Sequence, residues 1–249
     1  MKPSARSWLA EVEQLSGHRV VVVPVETNRA TNTISIPADF PGRPVVRELL
    51  MQENFVAQFV RAYALTVSAS QSGQRFHFVL LNLARAEQWQ DHREQLLAHE
   101  AGHLWLDALG YRSLQVDPSD PQACLATHAS DIVQHILIRQ EMQRRGFDSS
   151  FWIFNQQEWL RQLPESGPVN VAGCERAQVV SLWLDGALGL NPSVWPQWPI
   201  WKVRTRQAFP DLVAAAERLA SFLENLNLWD RSLYEAALGR VFRQLQLLG

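Results

Sequence analysis

His99-Glu100-Ala-Gly-His103 sets two imidazoles four residues apart, with a carboxylate next to the first. On a helix, positions i and i+4 lie one turn apart on a single face, so both rings can reach one ion. Imidazole is a preferred zinc ligand, and a catalytic zinc site keeps one position open for water. Zinc lowers the pKa of that water to about 7, and an adjacent carboxylate accepts its proton as general base. The chemistry is therefore metal-assisted hydrolysis, with His99 and His103 as ligands and Glu100 as base. Five of the seven histidines fall between positions 92 and 135, and none follows 135.

Two elements must position these groups. Asp91 with Glu94 three residues later is a capping-box pattern, and Gly110 suits a helix end, which predicts a helix over 91–109. Asp120 followed by Pro121 reads as an N-cap with proline at the first helical position. The helix so begun runs to 145, with Arg144 and Arg145 at its negative end and Gly146 beyond. On it His128, Asp131 and His135 stand at i, i+3 and i+7, one stripe of the surface. His135 is the favoured third ligand, with Asp131 as the carboxylate that accepts its other ring N–H. Asp131 as the ligand itself and His128 in that role stay open. Glu141, the one glutamate of this helix, projects to a different face. Asp107 is one turn past His103 and can orient that ring. Cys124, one turn before His128, reads as buried filler rather than a soft ligand.

Upstream, the run HRVVVVPVE is β-branched and bounded by Gly17 and Thr27, a strand pattern, and residues 31–37 alternate as an antiparallel partner joined through Asn28 and Arg29. Residues 45–65 carry helical spacing, 68–73 read as a polar loop, and 75–83 read as an edge strand leading into the histidine-rich region. His77 on that strand reads as exposed. Beyond Phe147 the expected elements are all helices, at 155–163, 171–188, 210–226 and 230–248. Residues 194–201 (VWPQWPIW) read as a rigid loop that fills the core. The expected division is an α/β part over 1–147, carrying both site helices, and a helical subdomain over 148–249.

His99, Glu100 and His103, with the strand–helix–helix order over about 75–145, resemble the zincin superfamily of metallopeptidases. The resemblance implies Zn2+ as cofactor, a peptide or protein as substrate, and an α+β, zincin-like fold. In it a small N-terminal sheet and the HExxH helix form one wall of a cleft, and the mainly helical C-terminal half forms the other. Leu106 and Leu109 stand where the metzincin extension has glycine and histidine, so the likeness is to the gluzincin-like arrangement, whose third ligand comes from a second helix. The glutamate usual there is missing from the 128–135 stripe. The resemblance further implies substrate addition along the edge strand and an oxyanion donor, for which Tyr111, Tyr234 or an arginine are the candidates. The rival function is a zinc-binding sensor or interaction module without turnover.

Composition removes the other classes. With 249 residues and 47% hydrophobic content, the chain has ample material for a core. A net charge of −2, from 23 basic and 25 acidic residues, does not suit a general nucleic-acid binder. Apolar runs are too short to span a bilayer, and the first residues hold no apolar leader segment. Two cysteines are too few for a disulfide framework or a Cys-rich zinc site. A soluble, cytoplasmic enzyme is the expectation.

Overall fold

The valine-rich run after Gly17 forms β1 (Arg19–Asn28). In this computed structural model, which describes residues 4–28, 33–52, 55–56, 59–117, 120–165 and 167–248, the chain divides into two units, Met1–Gly110 and Tyr111–Gly249. The helix carrying His135 therefore counts with the second unit, whereas the sequence pattern groups it with the first. The architecture is α+β, with a four-stranded mixed sheet and a mostly helical remainder.

In the first unit α1 (Ala5–Ser16) precedes β1, β2 (Thr33–Ser35), α2 (Arg43–Leu49), β3 (Ala64–Gln71) and β4 (Gln74–Asn82). Helical turns over residues 83–92 then lead into α3 (Arg93–Ala108). The strand order is β2-β1-β4-β3. β1 runs parallel to β4, and the other two pairs are antiparallel. The expected turn at Arg29 and the start of the 31–37 strand lie outside the described residues, as do residues 53, 54, 57 and 58 of the expected 45–65 helix.

Two strand expectations are corrected. β4 is not an edge strand: it lies between β1 and β3 and is buried from Phe76 to Asn82. The edge on that side of the sheet is β3, in a stretch whose sequence (ALTVSASQ) reads as helix end and polar loop. Its small and polar residues suit a half-exposed position, and they hide the strand because one of its faces needs little apolar area. Ser72 and Gly73 both have positive φ, which gives the two-residue hairpin turn that matches strand twist.

Phe76, Phe78 and Leu80 on one face of β4 join Val23, Val25, Val46, Leu50 and Phe59 in a core. The alternate residues His77, Val79 and Leu81 point to the opposite face, where α1 and α3 pack. Burial on both faces makes β4 the most constrained strand. Gly42, with φ +80, passes so close to it that a Cβ would stand 2.4 Å from Phe78 Cζ. Gly42→Ala adds a left-handed strain to that overlap and is expected to cost about 1–3 kcal/mol. A urea midpoint unchanged from the parent would contradict this packing.

α3 is held from its other side by α1. Trp105 Nε1 donates to Glu11 Oε1 at 3.0 Å, and the Trp8 and Trp105 rings meet edge-on at 6.1 Å. Glu94 does not close the expected capping box. Its Oε2 accepts from Ala5 N at 3.1 Å, so the carboxylate serves the positive N-terminus of α1 rather than its own helix. α3 accordingly starts at Arg93, with no side-chain cap.

The second unit contains α4 (Ala123–Arg144), α5 (Ser150–Gln162), α6 (Cys174–Gly189), α7 (Trp198–Ala208), α8 (Pro210–Leu223) and α9 (Arg231–Gln246). α4 and α6 pack together at its centre, with α9 against α4 and α8 against α6. Asp230 caps α9 by accepting from Ser232 N and Leu233 N. The tryptophan-rich stretch is only partly a loop, since α7 begins at Trp198 with Pro199 in its first turn. It fills the core as expected: Trp195 and Trp201 are buried, and Trp201 stacks on Trp183 at 4.9 Å. Among the described residues no helix is long and apolar enough to cross a membrane.

Candidate metal centre

In the first unit α3 presents His99 and His103 along one partly buried line, while Leu96, Leu97, Ala98, Glu100, Ala101, Leu104 and Leu106 are buried. Burial of the apolar body fixes the helix, and the i, i+4 spacing does the rest. The two Nε2 atoms stand 3.3 Å apart. Two nitrogens bound tetrahedrally at about 2.0–2.1 Å from one zinc would be separated by about 3.3–3.4 Å, so the donors already have the spacing the ion requires. Glu100 Oε1 lies 3.2 Å from His99 Nδ1. A carboxylate can only accept, so Nδ1 carries the proton and Nε2 keeps its lone pair. Glu100 is 5% exposed, and that contact holds it beside the ligand line.

His77, expected to be exposed, is buried. Its Nδ1 is 2.7 Å from Ser68 Oγ, and its ring meets His18 edge-on at 5.2 Å. Burial first, then the neighbouring His18, pushes its pKa below the usual histidine value, with the Asp107 charge opposing. The Asp107 charge thus acts on His77.

In the second unit His135 and Asp185 form a buried pair. His135 Nδ1 lies 3.0 and 3.1 Å from the two carboxylate oxygens of Asp185 on α6. Arg139, one turn further along α4, donates from Nη1 to Asp185 Oδ1 at 2.7 Å and lies 4.9 Å from the Trp152 ring centre. The sequence pattern assigns this carboxylate role to Asp131; the structure gives the hydrogen bond to Asp185, fifty residues downstream, and Asp131 contributes as a nearby charge. Burial alone would raise the Asp185 pKa, but His135 and then Arg139 outweigh it and hold the carboxyl at about 2. Burial likewise works to depress His135, and Asp185 reverses it, leaving that pKa above the usual value. The one signal for Asp185 in the sequence is its position as a lone charge within SLWLDGALGL, since an acid in an apolar run needs a partner.

The remaining candidates are spoken for. Glu141 is chelated by Arg144 and Arg145, with contacts of 2.5–2.7 Å. Tyr111 OH donates to the Trp229 carbonyl at 2.6 Å, and the buried Tyr234 OH to the Tyr111 and Arg112 carbonyls at 3.2 and 3.1 Å. These bonds give both phenols structural duties. Cys124 is not filler: it forms a disulfide with Cys174, the first residue of α6. Closing a loop of that separation restricts the unfolded chain by about 4 kcal/mol. His128, one turn after Cys124, belongs with these two sulfurs to a second group of candidate metal ligands.

No family model, no curated protein and no solved structure matches this chain.

Proposed function

We propose that the chain is a zinc-dependent hydrolase of peptide bonds on a zincin-like fold, with His99, His103 and His135 as ligands and Glu100 as general base. The observation that carries the proposal is the 3.3 Å separation of the His99 and His103 Nε2 atoms, with Glu100 setting the tautomer of His99. His135, whose ring Asp185 orients, is the third ligand that the sequence pattern favours. When bound, zinc supplies Lewis acidity toward water and the scissile carbonyl.

The protein's own residues do the rest. α3, packed against α1 and the sheet, keeps two ring nitrogens at fixed spacing. Asp185 retains the proton on His135 Nδ1 and so leaves Nε2 as the binding atom, while its charge makes that nitrogen a stronger donor. Glu100 takes the proton from the attacking water and passes it to the leaving amine. An extended substrate would lie along β3, the strand that ends the sheet order beyond β4, through backbone hydrogen bonds.

Metal content tests the ligand set directly. Purified without chelator, the protein is expected to carry close to one zinc per chain, measured by atomic absorption under conditions that keep Cys124 and Cys174 oxidised. His99→Ala or His103→Ala should each lose it. Protein that is metal-free and does not take up added zinc would overturn the proposal.

A further inference from the structure

α4 and α6 are tied at two levels. Cys124 bonds Cys174, and His135 bonds Asp185. His135 is eleven positions after Cys124, and Asp185 is eleven positions after Cys174. The two helices therefore run parallel, with their ties about 16 Å apart at 1.5 Å per residue. The upper tie explains itself as part of the candidate metal centre. The lower one holds more than a cross-link requires, because His128 stands beside it.

We propose that Cys124, His128 and Cys174 form a second metal site, closed while the disulfide exists and able to bind one zinc ion once it is reduced. Their ligand atoms, two sulfurs and an imidazole nitrogen, lie within 4.8 Å of one another. Zinc bound tetrahedrally at about 2.3 Å from each of two sulfurs would set them about 3.7–3.8 Å apart. The sulfurs thus need only part from bonding distance, without a new approach of the helices. Cys124 and His128 share the i, i+4 relation of His99 and His103, so one helix face delivers both donors. Cys174 is exposed and is the first residue of α6, where the helix N-terminus favours a thiolate. Two thiolates and one imidazole suit zinc and leave a fourth position for water. A disulfide alone gives no reason for the imidazole.

The exchange balances. A dithiol reductant delivers two electrons and two protons to the Sγ–Sγ bond and becomes a cyclic disulfide, while Cys124 and Cys174 become thiols. The ion then displaces one proton from each thiol and takes the lone pair of neutral His128. Disulfide and metal exclude each other, and either one keeps α4 joined to α6.

Cobalt reports thiolate ligation by a sulfur-to-metal charge-transfer absorption that three imidazoles do not give, so the first centre does not interfere. The full-length protein is reduced with a water-soluble phosphine, freed of reductant without oxygen and titrated with Co2+. A saturable band at one equivalent is expected, bleached by zinc and absent from the disulfide form. Cys124→Ser and Cys174→Ser should remove it. His128→Gln, which keeps both thiols and so separates ligation from loss of the cross-link, should weaken cobalt binding about tenfold or more. A reduced protein without the band, or a His128→Gln variant binding as tightly as its parent, would overturn the proposal.

Discussion

Glu100→Gln is expected to leave zinc bound at the parent stoichiometry while peptide hydrolysis falls by about 10²–10⁴-fold, the usual contribution of a positioned general base. Glutamine keeps the shape of the side chain, and its amide oxygen can still accept from His99 Nδ1, so the ring that Glu100 orients at 3.2 Å stays in place. What is lost is the basic lone pair. Because Glu100 is buried, solvent cannot easily supply a substitute base at that spot. The measurement is turnover on a mixed peptide library, with zinc assayed in the same samples. Equal turnover in variant and parent would refute the mechanism. A parent that holds zinc yet cleaves nothing would instead favour the sensor or interaction module, a reading in keeping with the structural duties of Tyr111 and Tyr234.

Asp185→Asn should be the most damaging single change in the second unit. It strips the negative charge from a site where Arg139 and His135 both converge. Removing one partner of a buried pair typically costs 3–5 kcal/mol, because the other charge is left without compensation. Zinc affinity should fall about 10–100-fold in parallel, as expected when the group orienting a ligand is lost. Urea unfolding and a competitive zinc titration read the two effects separately. The acid limb carries the same signature. Asp185 has a folded pKa of about 2, below its ordinary 3.8, so its contribution is complete above pH 3.8 and disappears as the pH falls toward 2. In Asp185→Asn that part of the acid transition should vanish. A variant with parent stability and an unaltered acid limb would show that the pair is not a source of stability.

The site helices were legible because their signals are local. An i, i+4 histidine pair inside an apolar body, a glycine past each helix end, and a 128–135 stripe all sit within a few turns of chain. β1 and β4 were legible from β-branched and aromatic density for the same reason. β3 was not, since a strand half-exposed at a sheet edge can be built from Ser, Ala and Thr and then looks like a loop. The partner of His135 was hidden for a different reason: Asp131 is close in sequence, whereas Asp185 arrives only when α6 packs on α4. Likewise Glu94 fits a capping box, yet the N-terminus of α1 competes for its carboxylate and wins. Cys124 looked like filler because its partner lies fifty residues away. Local pattern found the donors; tertiary packing chose what holds them.

The bond between Cys124 and Cys174 also has a topological meaning. It turns the intervening backbone into a closed ring that contains His128, Asp131, His135 and Arg139, with Asp185 just outside. A single backbone cut between α4 and α6 opens it without releasing a fragment, so the ligand helix stays covalently attached to the helix that orients it. Once the bond is reduced, the same cut divides the unit into two chains, with α4 and α6 on different pieces. The protein's tolerance of proteolysis between these cysteines is thus set by the oxidation state of two sulfur atoms.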